Sequence, residues 1–267
     1  MRAAVVGHVE WVDFARVERM PGPGEIVTAL ESWVEVGGGG AVSAGEFLRL
    51  GAQTTFFTAF GADERGVRAE AELRGRGLRL ETVVRESPQR RAFTFVGRDG
   101  ERAITVMGEK LVPHAADPLP WSELDSTDAV YFCGGDPGAV QEARRARVLV
   151  ATARELPTLR AAGVELDVLI HSGRDAGERF RRGELDPAPR LVVTTEGSRG
   201  GRYAGNGEDG RWAAAPLPGP LEDTYGAGDC FAAALALALA EGRSTPRALD
   251  FAAERAAHAM ARRGVNG

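Results

Sequence analysis

Short apolar runs alternate with longer amphipathic stretches along most of the chain. The apolar runs predict buried strands at 3–6, 54–60, 129–133, 148–151, 168–170 and 191–194. Apolar residues at helical spacing predict helices at 41–50 and 67–76, and the alanine- and leucine-rich segment 230–240 predicts a third. Repeated strand and helix units of this kind predict an α/β fold, with a mainly parallel sheet covered by helices on both faces.

Two segments, 25–35 and 91–106, alternate apolar and polar residues as half-exposed antiparallel strands do. The turn formed by 98–101 (Arg-Asp-Gly-Glu) divides the second segment and predicts a hairpin. We therefore expect a small sheet outside the main one, placed as a lid over the site. An edge hairpin of the main sheet would give the same pattern.

The stretch 204–220, rich in Gly, Pro, Asn and Asp, predicts a loop.

Composition narrows the class of protein. A chain of 267 residues with 43% hydrophobic content predicts a single domain, 1–267, that buries a continuous core. The net charge of -5 gives no overall attraction to nucleic acid or to an acidic membrane, so a small-molecule partner is expected. No apolar run approaches a membrane span and no signal peptide is evident, which predicts a cytoplasmic protein. Cys133 and Cys230 are expected to be reduced and structural.

The segment 223–229 (Asp-Thr-Tyr-Gly-Ala-Gly-Asp) carries the most specific chemistry. It precedes the predicted helix 230–240, so Gly226, Ala227 and Gly228 should present unpaired backbone N–H groups at a helix N-terminus. Such a site suits an anion, and Asp229 within the same turn can accept a proton from a hydroxyl group held beside a phosphate. These are the two parts that phosphoryl transfer requires. A simple helix cap with a tight glycine turn would explain a shorter match.

The complete segment resembles the second signature of the ribokinase-like carbohydrate kinases, the PfkB family. Three further motifs occur in that family's order along the chain. The glycines 37–40, with the Leu-Gly pair at 50–51, resemble the N-terminal motif, 61–66 resembles the GxDxxG continuation, and 195–200 is similar to the nucleotide-site TxGxxG. The resemblance implies an α/β/α sandwich with a small β lid, and an enzyme that phosphorylates an alcohol group with ATP.

The resemblance also implies a role for individual residues. Asp229 matches the catalytic base, and Gly226, Ala227 and Gly228 match the anion hole. For the acceptor, it implies contacts from Asp13, placed in the loop after the first strand, and from Gly38, Gly39 and Val42. For the nucleotide, it implies Thr195, Gly197, Gly200 and Thr224. Asp175 is the position nearest to the acidic residue of the family's metal-associated NxxE motif, and His8 ends the first strand where open α/β sheets place ligands.

Two departures bear on the substrate and the metal. Many members read GGKGAN where this chain has Gly39 in place of the lysine and Val42 in place of the asparagine, which makes ribose itself doubtful. The NxxE motif survives only as Ser172 to Asp175. The resemblance implies ATP and Mg²⁺ as cofactors, leaves a monovalent cation open, and points to a homodimer formed through the lid. Besides a sugar kinase, a nucleoside kinase and a non-catalytic ligand-binding protein remain open.

Overall fold

A computed structural model describes residues 1–205 and 207–265. The strands are β1 (Arg2–Val6), β2 (Glu10–Arg16), β3 (Glu31–Gly37), β4 (Gln53–Gly61), β5 (Arg79–Arg85), β6 (Arg91–Val96), β7 (Arg102–Met107), β8 (Ala129–Phe132), β9 (Val148–Thr152), β10 (Val168–Ser172), β11 (Leu191–Thr195), β12 (Gly201–Gly205) and β13 (Glu208–Trp212). The helices are α1 (Gly39–Arg49), α2 (Glu64–Gly75), α3 (Pro137–Ala143), α4 (Leu156–Ala162), α5 (Ala227–Ala240) and α6 (Thr245–Met260).

Nine strands form the main sheet, in the order β13-β12-β11-β10-β9-β8-β1-β4-β5. The pairs from β5 to β11 are all parallel, and β12 and β13 add an antiparallel edge. Alternate residues of each strand enter two cores: Val5 packs on the side of α1 and α5, and Val6 packs on the side of α3 and α4. The predicted α/β architecture with both faces covered is confirmed.

Four strands form a second, separate sheet in the order β3-β2-β6-β7, which we call the lid. Its hairpin β6–β7 turns at the predicted residues 98–101, so the alternative of an edge hairpin of the main sheet is wrong. The predicted segment 25–35 needs correction, because the strand covers only Glu31–Gly37 and Ile26 is fully exposed. Residues 25–30 belong to no strand, and the pairing with β2 ends at Arg16 and Glu31.

The lid has two faces. Cross-strand partners share a face, and one face packs into an apolar cluster with Val42, Tyr225 and Cys230 of the main domain. This inner face comprises Val12, Phe14, Ala92, Thr94, Val96, Arg102, Ile104 and Val106. The outer face comprises Asp13, Ala15, Phe93, Phe95, Ala103, Thr105 and Met107. Phe93 and Phe95 therefore share one face, as their spacing predicts, with ring centroids 4.9 Å apart.

Two strand assignments from sequence need correction. Strand β2 was not predicted, and it contains Asp13, which was expected in a loop. The segment 204–220 was predicted as a loop, but its first part belongs to β12 and β13. Tyr203 and Trp212 anchor this hairpin in the core and supply the burial that its glycine-rich sequence does not suggest. Among the described residues, none of the helices combines the length and apolarity that crossing a bilayer requires.

Candidate active site

The segment 223–229 forms a loop that leads into α5, and we call it the catalytic loop after the role that the family resemblance implies for it. The buried carboxylate of Asp223 accepts hydrogen bonds from the backbone N–H groups of Tyr225 and Gly264, each at 2.6 Å, and this fixes the loop. Gly226 is the N-cap of α5 at φ 73°, a left-handed conformation that favours glycine. The following Ala227 is half-buried, and its N–H donates to the Thr224 carbonyl oxygen at 3.5 Å, whereas Gly228 is exposed at the positive end of the α5 dipole.

A second helix N-terminus meets the first. Helix α1 begins at Gly39, and the N–H of Gly38 donates to the Tyr225 hydroxyl at 2.9 Å. A Cβ atom added to Gly39 would lie 2.9 Å from Oδ1 of Asp229, so the glycine keeps the approach to this carboxylate open. The predicted acceptor-side glycines and the predicted base are thus brought together, between two helix N-termini that favour negative charge.

Asp229 has a strongly perturbed carboxylate. Its Oδ1 atom accepts a hydrogen bond of 3.4 Å from the hydroxyl of Tyr131, a residue that the sequence did not single out. Burial, followed by the charge of Glu178, raises the pKa of Asp229 to about 6, against the opposing charges of Arg102 and Arg154. A carboxylate with a pKa near 6 is still ionised at neutral pH and is basic enough to accept a proton from a substrate.

The acidic turn after β10 supplies a residue that the sequence missed. Asp175 was predicted as the metal ligand, but its side chain caps a short 3₁₀ turn and pairs with Arg154 at 2.6 Å. Glu178, three residues later, accepts from the N–H of Ser172 at 3.0 Å and also pairs with Arg154, at 2.7 Å. The negative charge of Glu178 is, after burial, the largest cause of the raised pKa of Asp229.

Charged and polar side chains lie between the end of β1 and the lid. Nδ1 of His8 lies 3.2 Å from the carbonyl oxygen of Cys133, and the Lys110 ammonium donates to the same carbonyl at 2.9 Å. Burial, with the charges of Lys110 and Arg90, lowers the pKa of His8 well below its usual range, so His8 is neutral at pH 7. Arg90 in turn pairs with the buried Glu10 at 3.0 Å. His8, at the end of the first strand, thus lies among charged side chains.

Two predicted acceptor residues lie elsewhere. Asp13 is on the outer face of the lid and pairs with Arg91 at 3.0 Å, whereas its neighbour Val12 points to the main domain. Val42 is 3% exposed, and its methyl group would be 2.8 Å from a Cβ atom on Gly226. Val42 therefore packs beneath the catalytic loop. The structure does not bring either side chain into the space above Asp229.

Three of the four predicted nucleotide-side residues lie at the carboxyl end of β11. Thr195 ends β11 and is in register with Ser172 of β10, beside the acidic turn. Gly197 and Gly200 flank a short 3₁₀ turn with φ of 64° and 76°. A Cβ atom on Gly200 would lie 2.1 Å from the Trp212 carbonyl oxygen, so this glycine is required by close backbone packing. Thr224 lies instead in the catalytic loop, where its hydroxyl donates to the Gly100 carbonyl of the lid at 3.3 Å.

At this end of the sheet, Mg²⁺ can bind only together with the phosphates of ATP. Within 1–205 and 207–265, no group of three or more His, Cys, Asp or Glu side chains is arranged to hold a metal ion. Mg²⁺ bound to ATP keeps several waters and needs only one or two carboxylates beside the phosphates. Asp175 and Glu178 can supply these, since both already hold a cation, Arg154, between them.

The family comparison covers nearly the whole chain. The model of the "pfkB family carbohydrate kinase" matches residues 2–171 and 182–267. An ATP-dependent ribose-1-phosphate kinase of Halopiger xanaduensis is 26% identical over 268 residues, which cover 94% of this chain and 89% of the relative.

Two solved structures share the fold. A ribokinase from Cryptococcus neoformans in complex with ADP has a TM-score of 0.75 at 22% identity, and the match covers 99% of this chain and 95% of that one. An adenosine kinase from Sinorhizobium meliloti has a TM-score of 0.77 at 18% identity, covering 100% and 95%. At such identities the structural likeness concerns the fold.

Proposed function

This chain belongs to the pfkB family of carbohydrate kinases, and we propose that it uses Asp229 as the base that activates the hydroxyl group of a sugar or sugar derivative for attack on ATP. The single observation that carries this assignment is the convergence of the glycine loop 226–228, the N-terminus of α1 and the carboxylate of Asp229 at one point. A non-catalytic binding protein would not need a basic carboxylate in the first turn of such a helix.

The reaction follows from this arrangement. The acceptor hydroxyl gives its proton to Asp229 while its oxygen forms a bond to the γ-phosphorus, and the bond from that phosphorus to the bridging oxygen of ADP breaks. The N–H group of Gly228 and the positive end of the α5 dipole stabilise the charge on the phosphoryl oxygens. Gly39, where a Cβ atom would lie 2.9 Å from Oδ1 of Asp229, lets the acceptor approach the carboxylate closely.

ATP lies, in this proposal, along the carboxyl edge of β10 and β11, with Thr195 and Gly197 beside it. Mg²⁺ would neutralise phosphate charge there, held by Asp175 or Glu178 through water. Because both carboxylates are paired with Arg154, the arginine and the metal together balance the charge of the acids and the phosphates.

A panel of candidate acceptors tests which hydroxyl compound the protein phosphorylates. Release of ADP would be followed in a coupled assay with free sugars, sugar acids, phosphorylated sugars such as ribose 1-phosphate, and purine nucleosides. We expect saturable, acceptor-dependent ADP release with a sugar or sugar derivative. Saturation by a nucleoside and by none of the sugars would favour a nucleoside kinase, and no turnover with any acceptor would contradict the proposal.

The lid also supports a homodimer. Its outer face carries Phe93 and Phe95, and Val34 and Met107 on the neighbouring strands are exposed. A second copy packed on this face would cover the apolar surface. Light scattering at micromolar concentration should give a dimer mass that Phe93→Asp reduces. A strictly monomeric wild-type protein would contradict this.

Two free cysteines and the use of ATP fit the cytoplasm as the place of action.

A further inference from the structure

The inner face of the lid is buried along two strands and open along the third. Val12 and Phe14 of β2, like Val96 of β6, are buried against the main domain. Ile104 and Val106 of β7 share this inner face but are 42% and 48% exposed. The β7 part of the inner face therefore extends beyond the core and faces open space.

Arg102 begins this overhanging strand and reaches the catalytic loop. Its guanidinium donates to the backbone carbonyl oxygen of Thr224, two residues before Gly226. The adjoining hairpin turn contacts the same loop, because the Thr224 hydroxyl donates to the Gly100 carbonyl at 3.3 Å and Leu221 lies against Gly100. The lid thus places one cation against the loop that leads into the proposed anion hole.

Arg102 differs from the other arginines of the lid in its partner. Arg91 pairs with Asp13 at 3.0 Å, and Arg98 pairs with Glu18 at 2.7 Å. Across the described part of the chain, no carboxylate lies within ion-pair distance of Arg102, and its one hydrogen-bond acceptor is the neutral Thr224 carbonyl. A guanidinium bonds a phosphate more strongly than a carbonyl oxygen, because the charge-assisted hydrogen bonds are bidentate.

The other cations near Asp229 already hold carboxylates. Arg154 bridges Asp175 and Glu178, and Lys110 pairs with Glu155. Arg102 also opposes the rise in the pKa of Asp229 more strongly than Arg154 does, in agreement with its contact to the loop that precedes Asp229. An incoming phosphoryl group would thus meet the Arg102 guanidinium with no ion pair to break.

We infer that Arg102 is a further catalytic residue, whose guanidinium leaves the Thr224 carbonyl and donates to the oxygens of the transferring γ-phosphoryl group when ATP is bound. This rests on the proposed kinase function. Arg102 stays protonated throughout: the acceptor oxygen bonds to phosphorus, ADP leaves, and the hydroxyl proton goes to Asp229. Since Arg102 is on the lid, the phosphoryl group is fully surrounded only when the lid is in place.

The test compares Arg102→Ala and Arg102→Lys with Arg98→Ala, a matched control in the same hairpin that removes an exposed arginine paired with Glu18. Calorimetry would measure the affinities for Mg·AMP-PNP, which has a γ-phosphoryl group, and for Mg·ADP, which does not. We expect Arg102→Ala to lose roughly 10-fold or more in AMP-PNP affinity and little in ADP affinity. Turnover should fall about 10²-fold, with partial recovery in Arg102→Lys or on addition of guanidinium ion.

Equal AMP-PNP affinities and turnover in Arg102→Ala and Arg98→Ala would overturn the inference. So would a variant in which only the acceptor KM rises, because Arg102 would then contact the acceptor. The outcome is separable from the proposed function: a wild-type protein without acceptor-dependent ADP release would contradict kinase activity, while the two nucleotide affinities would still decide the role of Arg102.

Discussion

Replacing the proposed base should stabilise the folded protein while it abolishes activity. Burial and the charge of Glu178 raise the pKa of Asp229 from 3.8 to about 6, so the native state resists ionisation of this carboxylate. Below pH 3.8 the group is protonated in both states. As the pH rises through 6, the unfolded chain loses its proton first, and the folded state loses stability. Above pH 6 this cost is constant.

The size of the effect follows from the two pKa values. Their difference corresponds to about 3 kcal/mol at about 1.4 kcal/mol for each pH unit, and partial exposure of the side chain reduces this to about 1–2 kcal/mol. Asp229→Asn cannot ionise and keeps the side-chain shape, so it should be more stable than wild type by that amount at pH 8. Near pH 4.5 the difference should be much smaller.

Urea denaturation of both proteins at pH 8 and pH 4.5 measures this directly, since other titrating groups cancel in the comparison. Asp175→Asn is the control with the opposite sign, because hydrogen bonds from Gly177 and Arg154 lower the pKa of Asp175. That variant should lose stability at pH 8. If Asp229→Asn is less stable than wild type at pH 8, or gains equally at both pH values, the carboxylate is not held at an elevated pKa.

Three further predictions concern the surroundings of the base. The acid limb of the kcat/KM profile should have its midpoint near pH 6, with activity lost at lower pH. Glu178→Gln should move this midpoint to lower pH, because it removes a negative charge that raises the pKa of Asp229. An unmoved midpoint would contradict this. Tyr225→Phe should cost about 1–3 kcal/mol in thermal denaturation, since the Gly38 N–H loses its acceptor. Val42→Asn should destabilise by about 1–3 kcal/mol in urea, because the amide has no exposure at that position, and a neutral result would show that the site is open.

The parts of the site that could be predicted from sequence are local. The glycine loop 226–228 and Asp229 occupy consecutive positions at the start of the apolar helix α5, so one short segment contains the proposed anion hole and the proposed base. The lid hairpin was likewise predicted from alternation and a turn. Backbone geometry within a few residues decides both features, and each has a sequence pattern.

The remaining parts depend on long-range contacts or on register. Asp13 was assigned to the acceptor, but a shift of one residue in a strand moves a side chain to the other face, and Val12 holds the inner position. Tyr131 reaches Asp229 from a strand almost 100 positions earlier in the chain. The parallel pairing of β2 with β6 also joins distant segments, so no local pattern indicates it.

Direct detection of phosphoryl transfer tests the central claim. Wild-type protein and Asp229→Asn would be incubated with [γ-³²P]ATP and the best acceptor from the panel, and the labelled acceptor would be separated from ATP and inorganic phosphate. The account predicts acceptor labelling by wild type and a loss of roughly 10²-fold or more in Asp229→Asn, with ATP affinity little changed. Near-normal labelling by the variant would contradict the assignment of Asp229 as the catalytic base.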